Sequence, residues 1–227
     1  MHIADGVVSI PVWLGSLGGT FGIAAAVLRR VETKMIPKIA VMTSAFFVAS
    51  LIHIPLGPTS VHLTLSGLVG LVLGPAAFIA VMVGLVLQAV LFQHGGMTSI
   101  GINTLIMGMP AILVWWVFRW KQCISISKHG FLVGLVAGSI STTLSVIILA
   151  LALIGTGPEF FGVAKYAVIA HIPVIVIEGL VTGSTISFLV RVKPEVLGLQ
   201  RATPVAAQTG VGECKHRRSD LGKEEMT

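Results

Sequence analysis

The chain has 227 residues, 55% of them hydrophobic and 11% charged, with a formal net charge of +6 and a mean hydropathy of +0.96. A soluble domain carries about 25% charged residues, so the composition excludes an ordinary soluble fold and predicts a polytopic membrane protein made mostly of spanning helices. The basic excess points away from nucleic acid, because Lys and Arg flank hydrophobic segments as cytoplasmic anchors do.

The start lacks a basic n-region, so no secretory signal peptide is expected and the first hydrophobic segment is expected to stay in the mature chain. Seven hydrophobic segments follow in order: 7–28, 39–54, 61–73, 76–93, 102–118, 131–155 and 164–190. A helix needs about 20 residues to cross squarely. Segment 61–73 is therefore short, and Gly74-Pro75 separates it from 76–93. Charge decides whether the two count separately. Arg29, Arg30, Lys34 and Lys38 follow the first segment, and Arg119, Lys121 and Lys128 follow the fifth. Positive loops belong in the cytoplasm, so an even number of spans must separate them. Counting both segments places every Lys and Arg except Lys165 inside. The predicted fold is all-α, with seven transmembrane helices, the N-terminus outside and the C-terminus cytoplasmic. Residues 1–194 form the transmembrane domain, and 195–227, polar and mixed in charge, read as a mobile cytoplasmic tail. Cys123 and Cys214 fall on the cytoplasmic side, where a disulfide is not expected.

This sidedness puts His2, His53, His62 and His94 at outer ends of spans or in outer loops, with His171 in the outer part of the last segment. Neutral imidazole is the commonest metal ligand among side chains. Any one of these histidines alone reads equally as an interfacial group hydrogen-bonded near headgroups. His2 adds something more. The terminal amine, the His2 backbone nitrogen and its imidazole can close two fused chelate rings on one metal. A fourth nitrogen from another histidine completes a square plane, a geometry that suits Ni(II) or Cu(II) and that Co(II) can accept. Initiator Met is normally retained before a bulky residue, so Met1 supplies the amine. In "HIPLGPTSVH" the Pro55, Gly57 and Pro58 turn is stiff, and Thr59 and Ser60 read as a helix start with His62 in the first turn. That anchoring favours His62 over His53 as a ligand. "FQHGGMTSIGIN" reads either as an ordinary Gly-rich turn or as a loop packed on the metal, with His94 auxiliary and Asn103 as a hydrogen-bond partner behind it.

Glu178 is the only carboxylate inside a predicted span. It lies seven residues after His171, on the same helix face with Thr182 and Thr185. An intramembrane carboxylate is a functional candidate by default; the plainer reading is a hydrogen-bonded stripe within the bundle. For His171 and Glu178 the alternatives are coupling and structure. Gly15, Gly18, Gly19, Gly22 and Ala26, and again Gly134 and Gly138, give small-xxx-small spacing for close helix approach or for a membrane partner. There is no P-loop sequence, no H-E-x-x-H and no serine-nucleophile motif. ATP hydrolysis, if it drives transport, belongs to another chain.

"MHIADG", "PLGPTSVHL" leading to "LVLGPAA", "QAVLFQHGGMTSIGIN", and "HIPVIVIEGLVTG" followed by "KPEVLG" occur in this order. Together they closely resemble the CbiM/NikM family, the substrate-specific S components of energy-coupling factor importers for cobalt and nickel, from Met1 to about Leu199. The resemblance implies a six-helix S-component core plus an extra N-terminal helix, with the N-terminus folded back into the bundle. It implies four nitrogens on the metal: the Met1 amine, the His2 backbone and ring, and the His62 ring. It further implies a bacterial plasma-membrane location, no cofactor, a cargo of Co(II) or Ni(II) with cobalt ahead, and non-enzymatic function. The implied partners are a transmembrane T component, two ATP-binding cassette ATPases and a small accessory membrane protein in the same bilayer. His53 stands where relatives often carry an uncharged polar residue, and Ala4 where they often carry Pro. The rival readings are a vitamin-binding S component, which would need an aromatic-lined outer cavity and is disfavoured because Tyr166 is the only Tyr and Trp115, Trp116 and Trp120 sit toward the inner side, an intramembrane enzyme, disfavoured by the missing motifs, and a proton-coupled metal carrier using Glu178.

Overall fold

Helix α1 (Ile10–Leu28) starts where Ser9 is still extended and a proline occupies its first turn, a position that needs no backbone donor. The structure, a computed structural model, describes residues 2–51, 53–56, 59–118 and 122–199. Met1, the Gly57-Pro58 turn, Arg119, Lys121, Cys214 and the tail from 200 onward lie outside the described residues. After α1 come α2 (Ile36–Leu51), a hairpin of β1 (His53–Leu56) and β2 (Thr59–His62), then α3 (Ser66–Leu73), α4 (Ala77–Phe92), α5 (Ile100–Phe118), α6 (Gln122–Thr156) and α7 (Phe161–Val192). The two-stranded hairpin, in the register His53 opposite His62 and Leu56 opposite Thr59, interrupts an otherwise helical chain. It replaces the helix start expected at Thr59–His62.

Among the described residues, six helical stretches are long and apolar enough to cross a membrane, the third being Ser66–Phe92 taken as one. Their outer surface is apolar: Ile10, Phe21, Val41, Leu151 and Phe188 are exposed, whereas Ser66, Ser141, Thr142, Ser145, Glu178 and Thr182 are buried. Polar groups inside and large apolar groups outside is the arrangement of a bundle surrounded by lipid.

The stretch Ser66–Phe92 is not one straight helix. A Cβ at Gly70 would meet Ala111 and one at Gly74 would meet Trp115, so α3 runs alongside α5 in the same direction. Gly84 abuts Phe46 and Gln88 donates to Ser50, so α4 runs with α2. The start of α5 lies at the end of the bundle where α2 finishes and the hairpin begins, because Asn103 holds Ile3 and the His2 ring stacks on His62. Hence α3 and α4 run in opposite directions, and the chain reverses at Gly74 (φ 63°) and Pro75. All eight residues of α3 are buried. Its length, about 12 Å at 1.5 Å per residue, falls well short of the roughly 30 Å hydrocarbon layer.

The small residues of α6 and α7 close the other side. Gly134 packs on Gly183, and Gly138 packs on the Glu178 carbonyl and Thr182. That row is used internally. Around Gly15, Gly18 and Gly22 of α1 no described atom lies within 4 Å of where a Cβ would be. Beyond α7, Pro194–Leu197 forms a single 3-10 turn whose Leu197 returns to the core along with Leu199.

Candidate metal centre

Residues 2–5 enter the bundle from the end that carries the hairpin and the α4–α5 loop. Ile3 is fully buried, and Asn103 of α5 grips its backbone from both sides. The Ile3 N–H donates to Asn103 Oδ1 at 2.8 Å, and Asn103 Nδ2 donates to the Ile3 carbonyl at 3.1 Å. Two residues on the approach to α5 add to this hold: Asp5 accepts from the Met97 N–H at 3.1 Å and from the Thr98 N–H at 2.9 Å and its hydroxyl. Burial pushes the Asp5 carboxyl up, but the Thr98 and Met97 donors outweigh it and hold the group below the usual carboxylate range.

These anchors deliver His2 to His62. Both rings are buried, and they stack with centroids 4.5 Å apart and planes 23° off parallel. His94 meets His2 edge-on at 6.3 Å and is only partly buried. His62 Nδ1 lies 2.8 Å from the Leu63 carbonyl. A carbonyl can only accept, so Nδ1 carries the proton and Nε2 carries the lone pair. Among the described residues His62 Nε2 has no hydrogen-bond partner. Neutral imidazole is the form that binds metal.

The remaining sequence candidates divide. His53 faces His62 across the hairpin, so two histidines nine positions apart in the chain share one rung; only the backbone of His53 is described. His171 is fully buried on α7, with Nδ1 2.6 Å from the Ala167 carbonyl and Nε2 without a hydrogen-bond partner among the described residues. Glu178, also fully buried, reaches the chain just after His62. Its carboxylate accepts from the Thr64 N–H, the Thr64 hydroxyl at 2.9 Å and the Leu65 N–H at 2.9 Å. Among the described residues, no group of three or more His, Cys, Asp or Glu side chains converges as a metal cage.

Sequence reasoning passed over Asp5, Thr64 and the Ser66–Ser141 hydroxyl pair (3.0 Å). Asp5 had a signal, a carboxylate in a chain whose α4–α5 loop reads Gly-Gly-x-Thr-Ser, but two of its three donors are backbone groups that no residue pattern reveals.

Fold and site together define a multi-pass membrane protein of transport type, with a buried histidine pair at one end of the bundle. The sequence model of the CbiM family, described as the cobalt uptake substrate-specific transmembrane region, matches residues 2–196. The chain belongs to this family, a metal-transport component of membranes. It is 35% identical over 203 residues to a "putative metal transport protein" of Haemophilus influenzae, covering 87% of this chain and 97% of that one. It is 28% identical over 221 residues to a "putative fused nickel transport protein NikMN" of Archaeoglobus fulgidus, covering 90% of this chain and 70% of that one. A crystal structure of a truncated transition metal transporter superposes with a TM-score of 0.72, at 23% identity, over 83% of this chain and 98% of that one; it shows the same fold.

Proposed function

We propose that the chain is the substrate-binding S component of an energy-coupling factor importer, capturing Co(II) or Ni(II) outside the membrane and delivering it inward. The observation that carries this reading is the buried His2–His62 pair, with His62 Nε2 unpartnered among the described residues and its proton parked on Nδ1. Family membership narrows the cargo to the cobalt and nickel class. The donor set is the Met1 amine, the His2 backbone nitrogen, the His2 ring and the His62 ring, with cobalt ahead of nickel. Nitrogen donors in a plane discriminate against Ca(II) and Mg(II), which take oxygen ligands in larger or octahedral shells. His53 and His94 stand beside this set as auxiliary groups. ATP hydrolysis falls to two partner ATPases, linked through a T component and a small accessory membrane protein.

Seven crossings, with the N-terminus outside, fit the reversal at Gly74-Pro75, since α3 and α4 then count separately and the two positive loops share the cytoplasmic side. The outer thickness that short α3 leaves unfilled is occupied by the hairpin and residues 2–5. Irregular backbone at membrane depth is tolerated where protein buries it.

Titration calorimetry of the purified chain with Co(II) and Ni(II) tests the reading. Both His62→Ala and a variant with one residue added before Met1 are expected to lose high-affinity binding while remaining folded. Unchanged affinity in both rejects the four-nitrogen site.

A further inference from the structure

We infer that Glu178 is a positioning residue for metal capture: from α7 its carboxylate fixes the backbone at Thr64 and Leu65, and thereby the place of His62. The inference rests on the reading of His62 as a metal ligand. Glu178 lies 114 residues from Thr64 in sequence, yet it collects three donors from two consecutive residues there: the Thr64 N–H, the Thr64 hydroxyl at 2.9 Å and the Leu65 N–H at 2.9 Å, with a second contact from Leu65 at 3.1 Å to the other oxygen. These are donors that secondary structure leaves open. Thr64 and Leu65 lie between the end of β2 and the start of α3, and the first N–H groups of a helix have no partner within it. A carboxylate there also meets the positive end of the α3 dipole.

The backbone it holds is one that would not hold itself. Leu65 has φ 49°, a left-handed conformation that is costly for a bulky residue and persists only where surroundings impose it. From the same turn, the Leu63 carbonyl takes the proton of His62 Nδ1 and so selects the nitrogen offered to metal. The Thr64 hydroxyl is held in addition by Ser66 at 3.0 Å, itself bonded to Ser141 of α6 at 3.0 Å. His62, Leu63, Thr64 and Leu65 are thus one short stretch whose inner end is clamped to α7 and α6. The partners that orient a metal ligand tune affinity by about 10–100-fold when removed.

A brace and a mobile charge make opposite demands. Glu178→Asp keeps the charge but withdraws the oxygens by one methylene; Glu178→Gln loses the charge but keeps an acceptor oxygen in place. The experiment measures affinity for Ni(II) and Co(II) by calorimetry, and the ligand-field spectrum of bound Ni(II), on wild type, His62→Ala, E178D and E178Q in detergent. The expected result is at least about tenfold weaker binding and a shifted spectrum in E178D, with E178Q close to wild type in both. E178D matching wild type, or E178Q losing affinity while E178D keeps it, overturns the inference. Should E178D fail to fold, the comparison passes to Thr64→Val, which removes one donor from the other end: weaker binding with a shifted spectrum supports the brace, and wild-type behaviour overturns it. The metal-centre reading fails separately, by wild type binding neither ion or His62→Ala binding as tightly as wild type.

Discussion

Asn103 makes one side chain do the work of a strand partner. Its amide satisfies both the N–H and the carbonyl of Ile3, in a place where both groups are buried and water cannot replace it. A hydrogen bond contributes about 0.5–1.5 kcal/mol net, but a buried group left unpaired costs about 1–3 kcal/mol. Asn103→Leu is therefore expected to lower stability by roughly 2–4 kcal/mol and to weaken metal binding, because residue 2 loses its adjoining anchor. Thermal unfolding in detergent, with and without Ni(II), checks this; a metal-dependent rise in Tm equal to that of wild type would count against it. The histidines themselves were legible in the sequence, since His2 and His62 stand out as polar groups at the ends of apolar runs. Their partnership came only from the family likeness, and their stacked geometry from no residue pattern. A stack at 4.5 Å depends on how deeply residues 2–5 insert, which is fixed by Asn103 and by backbone donors at 97–98 that carry no residue signature.

Among the elements, the α4–α5 loop and the hairpin do most of the placing. Gly95 and Gly96 both have φ of 77°, open to glycine and strained for other residues. At Gly96 the space is also taken, since a Cβ there would run into the Asp5 carboxylate. Gly96→Ala is expected to destabilise the protein by about 1–3 kcal/mol and to release the N-terminal segment, read as faster proteolysis near residues 5–8 and weaker metal binding. Proteolysis and affinity equal to wild type would show that Asp5 is not the lock. The helices were legible from their apolar runs, and the break at Gly74-Pro75 from its residues. The hairpin was missed because "HIPL" and "TSVH" are only four residues each and the first carries a proline. Their pairing needs the buried setting the bundle supplies, since an isolated two-stranded hairpin is marginal in water. The role of Glu178 was open between coupling and structure because its partners are backbone N–H groups at a helix start that lies elsewhere in the chain.

At the level of the whole molecule, the proposed topology, with the N-terminus outside and α3 and α4 crossing separately, can be tested by labelling. In a variant with Cys123 and Cys214 changed to Ser, a cysteine at exposed Met97 is expected to react with a membrane-impermeant maleimide from outside the cell. One at Lys34 is expected to react only after permeabilisation. The reverse pattern would invert the bundle and put the histidine pair on the cytoplasmic face, where it could not capture metal from outside.

The bond from Glu178 to Thr64 also has a consequence in time. The ribosome makes the hairpin and α3 early, but the carboxylate that meets them arrives 114 residues later, on the last helix to be inserted. Until then Thr64 and Leu65 have unanswered donors and the turn after His62 lacks its partner. A nascent or truncated chain ending before α7 carries His2 and His62 but not the carboxylate that fixes the turn after His62, so on the proposed reading a metal site is complete only once synthesis and insertion are complete.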